Sequence, residues 1–107
     1  MPAGQLEEIR RTNNKIYISG PMTGLPDLNR SAFNAAAKAL RAKGWDAVNP
    51  VDVCGAETDW AVCMRLNIAA MMACDQIVLL RGWGKSRGAN VEMRLALDLK
   101  IRVMMDA

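Results

Sequence analysis

Short apolar runs alternate along this chain with longer segments whose apolar residues recur at helical spacing. Lys15-Ile16-Tyr17-Ile18-Ser19 reads as a strand, and the glycines and prolines of Gly20-Pro21-Met22-Thr23-Gly24-Leu25-Pro26-Asp27 mark a long loop after it. Asp27 or Asn29 is placed to cap a helix over residues 30–43, where Phe33, Ala36, Ala37 and Leu40 form the buried stripe and Gly44 supplies the stop. Trp45-Asp46-Ala47-Val48-Asn49 is the second strand, and Pro50 opens a loop carrying Asp52, Cys54, Gly55 and Glu57. Thr58 or Asp59 caps a second helix reaching about Ala73, with Trp60, Cys63, Ala70, Met71 and Cys74 on one face and Asn67 among them. Ile77-Val78-Leu79-Leu80 is the third strand, a helix ending at Lys100 follows, and Arg102-Val103-Met104-Met105 closes the pattern.

The order βαβαβαβ predicts an α/β fold: a small three-layer sandwich with a parallel, flavodoxin-like or Rossmann-like sheet of about four strands. Residues 1–14 are polar and read as an N-terminal arm without a function, and residues 15–107 as one domain. Asp75 precedes the third strand, at the sheet edge away from any crevice, and reads as a turn or cap residue.

One residue breaks the pattern. Positions 89, 92, 93 and 96 share a helical face, and Glu92 puts a carboxylate there among Ala89, Met93 and Ala96. A charge turned toward a sheet is costly unless something pairs or uses it, although a glutamate near a helix N-terminus is also able to bend out to water. Asn67 is likewise polar on an apolar face, and reads equally as a core amide bonded to a loop or as a ligand contact.

If the strand order is 2-1-3-4, it reverses between strands 1 and 3, and a ligand crevice opens at their carboxyl ends. The loops that meet there are residues 19–29 and 81–88, both rich in glycine. Their amides, the helix N-terminus at residues 86–89 and the cations Arg30, Lys85 and Arg87 make a place for a phosphate or carboxylate, with Glu92 just inside it. Gly82-Trp83-Gly84 is neither a dinucleotide fingerprint nor a P-loop, so the residues alone define a pocket for a small anion with one carboxylate.

Composition narrows the chemistry. A net charge of +3 from 14 basic and 11 acidic residues, spread without a basic block, favours a small anionic ligand over a nucleic-acid polymer. No apolar run approaches a membrane span, the first residues lack a secretory apolar region, and the expected location is the cytoplasm. Cys54, Cys63 and Cys74 lack metal-site spacing and read as buried free thiols. With 0 histidines, histidine bases and histidine-activated nucleophiles are excluded, leaving carboxylates, hydroxyls, Tyr17 or arginine. The eight methionines suit a core with irregular gaps or a subunit interface.

The stretch Lys15-Ile16-Tyr17-Ile18-Ser19-Gly20-Pro21-Met22-Thr23-Gly24, taken with Cys74-Asp75-Gln76-Ile77-Val78-Leu79-Leu80 and Gly82-Trp83-Gly84-Lys85-Ser86-Arg87-Gly88-Ala89-Asn90-Val91-Glu92, resembles the small phage and bacterial proteins grouped as DUF4406. That group is similar to the nucleoside 2-deoxyribosyltransferase superfamily, which includes the 2'-deoxynucleoside 5'-monophosphate N-glycosidases. The resemblance covers roughly residues 15–103. It implies a retaining attack on an N-glycosidic bond, with Glu92 as nucleophile on the anomeric carbon of deoxyribose and Tyr17 helping to orient the nucleophile or the sugar. It implies substrate contacts from Ser19, Gly20, Pro21, Met22, Gly24, Arg30, Asn67, Gly82, Trp83, Ser86 and Gly88, with Ser86 and Gly88 holding a 5'-phosphate or a sugar hydroxyl. It also implies a homodimer, a small nucleoside or nucleotide as partner, and neither metal nor cofactor.

Asn67 departs from the relatives, which commonly carry there an aspartate that assists protonation of the base; an amide hydrogen-bonds but is not an acid. Either Asp52, Glu57 or Asp59 substitutes, or the protein is slow or only binds. The expectations are therefore an N-glycosidase or deoxyribosyltransferase, a non-catalytic protein that sequesters a nucleotide, or an assembly protein using its methionine-rich faces.

Overall fold

The computed structural model describes residues 14–105, and the arm expected over residues 1–14 lies outside them apart from Asn14. Asn14 belongs to the domain: its carbonyl accepts the Asp46 amide at 2.9 Å and its side-chain amide donates to the Gly44 carbonyl at 3.3 Å.

Four strands, β1 (Lys15–Ser19), β2 (Asp46–Val48), β3 (Gln76–Leu79) and β4 (Arg102–Met105), form one sheet in the order β2-β1-β3-β4. Every pairing is parallel; Tyr17 lies opposite Val48 on one side and Ile77 on the other. The helices are α1 (Arg30–Ala42), α2 (Pro50–Cys54), α3 (Trp60–Met71) and α4 (Arg87–Asp98).

Strand alternation divides the core into two layers. Ile16, Ile18, Val78 and Leu80 face α1 through Phe33 and Ala37. Tyr17, Ile77 and Leu79 face the other way, against Met71 of α3 and Ala96 of α4. This parity puts Tyr17 on the α4 side and, two positions on, Ser19 as well. Asp75 lies at the opposite sheet edge. There, in the bend that leads into β3, its backbone extends the ladder, donating to Lys15 O at 3.1 Å and accepting from Arg102 N at 3.1 Å.

Several local expectations are corrected. Residues 50–54, expected as loop, form α2: Pro50 at the first turn pre-sets the helical φ, and the Asn49 side chain caps it by accepting the Val51 amide at 3.0 Å. Neither Asp27 nor Asn29 caps α1. Asp27, Leu28 and Asn29 have φ of 50°, 53° and 60°, a left-handed turn that aims the Asn29 amide back at the Pro21 carbonyl, 3.0 Å away. Asp59 caps α3 as expected, its Oδ1 accepting the Val62 amide at 3.1 Å. Cys54 and Cys63 are joined in a disulfide, whereas Cys74 is the free, buried thiol the sequence implied. Among the described residues, no helix is long and apolar enough to cross a membrane.

Candidate active site

Glu92 sits on the second turn of α4, with Ala89 and Ala96 buried above and below it on the same face. That face packs on the sheet, so the carboxylate is carried inward and is 4% exposed. Two hydroxyls from β1 meet it: Tyr17 Oη donates to Oε2 at 2.7 Å and Ser19 Oγ donates to Oε1 at 2.7 Å. Residues 17 and 19 share a strand face, so one strand supplies both donors. The charge that looked misplaced in the sequence is thus held at both oxygens by short bonds.

The electrostatics follow from burial. Loss of water raises the Glu92 carboxyl above its ordinary range, and the hydrogen bonds from Tyr17 and Ser19 oppose that rise without cancelling it. The Tyr17 phenol is pushed well above its usual value, first by burial and then by the Glu92 charge beside it. Tyr17 therefore stays a proton-carrying donor throughout the neutral range.

Above this carboxylate opens a cavity of about 930 Å³ at the carboxyl end of the sheet, within the range of about 300–1,000 Å³ usual for small-molecule sites. Its lining includes Tyr17 and Glu92, the loop residues Gly20, Pro21 and Met22, Arg30 at the start of α1, Asn67 of α3, and Gly82, Ser86 and Gly88 at the entry to α4. Ser19 is 1% exposed and stands behind Glu92, outside the lining, so it holds the carboxylate and leaves the wall to others. Trp83 and Gly24 are not in the lining either. The Trp83 indole packs on the core layer of Tyr17, Ile77 and Leu79, and Gly24 turns the exposed loop with φ +84°.

Close packing sets the glycines. A Cβ on Gly20 would lie 2.9 Å from Leu80 Cβ, and one on Gly88 would lie 3.1 Å from Met64 Sδ, so β1's exit loop and the start of α4 are pressed against β3 and α3. Gly82 has φ +88°, a turn that L-residues resist. Ser86 caps α4, its Oγ accepting the Ala89 amide at 3.2 Å, and the helix N-terminus with its unpaired amides is thereby directed at the cavity.

One residue without a role in the expected set organises the same corner. Asn90 Nδ2 donates to Ser86 O at 2.8 Å and to Gly84 O at 3.0 Å, fixing the loop before α4; an asparagine one turn past a serine cap was the available signal. The Arg87 guanidinium lies 4.1 Å from the centre of the Trp60 ring, so the first residues of α3 and α4 meet beside the cavity.

Asn67 is 6% exposed, and its Oδ1 has no hydrogen-bond partner among the described residues. A buried carbonyl left in that state costs about 1–3 kcal/mol, the energy a ligand donor would recover. Of the three acids expected near β2, only Glu57 lines the cavity. Asp52 lies 3.9 Å from Arg41, and Asp59 is committed to its cap. Among the described residues, no group of three or more His, Cys, Asp or Glu side chains is arranged to hold a metal ion.

A parallel α/β domain thus carries a buried, hydrogen-bonded carboxylate beneath a glycine-walled cavity at the carboxyl end of its sheet. The chain belongs to the family described as Domain of unknown function (DUF4406), whose model matches residues 14–105. No curated protein matches it.

Proposed function

We propose that this protein cleaves the N-glycosidic bond of a 2'-deoxynucleoside or its 5'-monophosphate, by hydrolysis or by transfer to another base, with Glu92 as nucleophile. The observation that carries the reading is the buried Glu92 carboxylate held by Tyr17 and Ser19 at the base of a cavity of about 930 Å³. A carboxylate so fixed has the two properties that covalent attack on an oxocarbenium-like carbon needs: a set direction and little water to displace. Burial keeps it a better base than an exposed glutamate, and the two hydroxyls hold its ionised form in place. Arg30, Lys85, Arg87 and the N-terminus of α4 suit a 5'-phosphate. The likeness of the family to the nucleoside 2-deoxyribosyltransferases adds to this reading. Homodimerisation and a cytoplasmic location belong to the same proposal; α3 leaves Val62 and Leu66 exposed, apolar surface that a second copy would cover.

The test is release of free base from the four 2'-deoxynucleoside 5'-monophosphates and their nucleosides, separated by chromatography, with Glu92→Ala beside the unaltered protein. Release that disappears with Glu92 supports the reading. Release that persists in Glu92→Ala, or none from any substrate, overturns it.

A second reading, a protein that binds and sequesters a nucleotide without turning it over, is favoured by one observation: the amide of Asn67, which carries no acidic proton, lines the cavity. It predicts saturable nucleotide binding without base release, and no turnover gained in the absence of Asn67→Asp.

A further inference from the structure

We propose, on the glycosidic reading above, that Glu57 is the acid that protonates the departing base. When the bond from the anomeric carbon to the base breaks, its electron pair stays on the base nitrogen. A positioned acid that supplies a proton at that moment contributes about 10²–10⁴ in rate.

The cavity wall holds few candidates. Among the described residues its only carboxylic acids are Glu57 and Glu92, and Glu92 is engaged by Tyr17 and Ser19. Tyr17 is held as a phenol by burial and by the neighbouring charge, which makes it a poor proton donor to a substrate. The thiols of Cys54 and Cys63 are consumed in their disulfide. Arg30, Lys85 and Arg87 are cations suited to phosphate, and Asn67 offers an amide. Elimination leaves Glu57.

Its place is fixed by its neighbours. Glu57 lies exposed in the connection between α2 and α3, which is bridged by the bond from Cys54, the last residue of α2, to Cys63 in the first turn of α3, and anchored by the Asp59 cap of α3. The Glu57 amide donates to Cys54 O at 3.2 Å, and one carboxyl oxygen, Oε2, accepts the Thr58 amide at 3.1 Å. Oε1 is left without a protein partner among the described residues. The acid is thus mounted on a clamped segment of the wall.

In the first step a Glu92 oxygen bonds to the anomeric carbon, the glycosidic bond breaks toward the base, and the Glu57 proton passes to the base. In the second, water bonds to the anomeric carbon while Glu57 takes its proton, and the ester bond breaks with its electron pair returning to Glu92. One water is consumed, and both carboxyl groups end as they began.

The experiment compares Glu57→Gln and Glu57→Asp with the unaltered protein on two substrates. One is the ordinary 2'-deoxynucleotide released fastest; the other carries 6-chloropurine, a base that departs as a stabilised anion and needs no proton. The expected result is a loss of about 10²-fold or more for the ordinary base in Glu57→Gln, with the 6-chloropurine rate within a few fold of the unaltered protein and partial recovery in Glu57→Asp. Equal losses on both substrates, or no loss on either, overturn the assignment while base release dependent on Glu92 keeps the glycosidic reading. No release of either base by the unaltered protein overturns both.

Discussion

Replacing Tyr17 with phenylalanine removes one hydroxyl and leaves the ring in the core layer with Met71 and Ile77. The lost bond is the 2.7 Å donation to Glu92 Oε2, with both partners buried. Such a bond contributes about 1.5–3 kcal/mol when the acceptor is ionised and about 0.5–1.5 kcal/mol when it is neutral. The cost of Tyr17→Phe therefore depends on the state of Glu92. Burial raises the Glu92 carboxyl and the Tyr17 bond lowers it, so deleting the bond raises it further. A carboxyl with a raised folded pKa contributes stability present below its unfolded value, near pH 4.3, and lost as pH rises through the folded value. The variant loses more over that rise than the unaltered protein. Tyr17 itself does not titrate there, because its phenol is raised. Urea unfolding at pH 4 and pH 8 is expected to give a loss of about 1 kcal/mol at the lower pH and about 2–3 kcal/mol at the higher, with an unchanged slope. A loss independent of pH, or one below about 0.5 kcal/mol at pH 8, refutes the assigned hydrogen-bond energetics.

Glu92→Gln keeps the shape and removes the group whose carboxyl is raised by burial, so its Tm relative to the unaltered protein is expected to rise between pH 4 and pH 8; a difference that does not change with pH contradicts this. Gly20→Ala places a Cβ 2.9 Å from Leu80 Cβ and is expected to cost about 1–3 kcal/mol by calorimetry, so an unchanged Tm counts against the close β1–β3 exit. Thiol titration of the urea-unfolded protein without reductant is expected to find Cys74 alone, and reducing the Cys54–Cys63 bond, at a sequence separation of 9, to lower stability by about 2–3 kcal/mol. Three reactive thiols in the unreduced protein would remove that bond from the account.

The sheet and its order were legible because parallel strands buried on both faces read as short apolar runs, and helical spacing between them fixes the crossovers. Glu92 was legible for a related reason: on a face of alanines a carboxylate is conspicuous. What the pattern did not carry was the partner of that charge, since Tyr17 and Ser19 lie more than seventy positions away and meet it only through strand parity. The short helix α2 was hidden by Pro50, a residue that marks a loop as readily as a first helical turn. The resemblance implied a substrate contact from Trp83, but its half-buried ring packs against the core layer that holds Tyr17, Ile77 and Leu79. The Cys54–Cys63 bond was missed because pairing depends on how α2 turns its last residue toward α3, and spacing alone does not report that.

The most direct measurement of the central claim is the mass of the protein quenched during reaction with a 2'-deoxynucleotide, followed by peptide mapping. The account predicts a deoxyribosyl adduct on the peptide containing Glu92, absent in Glu92→Gln. Base release with no adduct there, or an adduct on another residue, would contradict it.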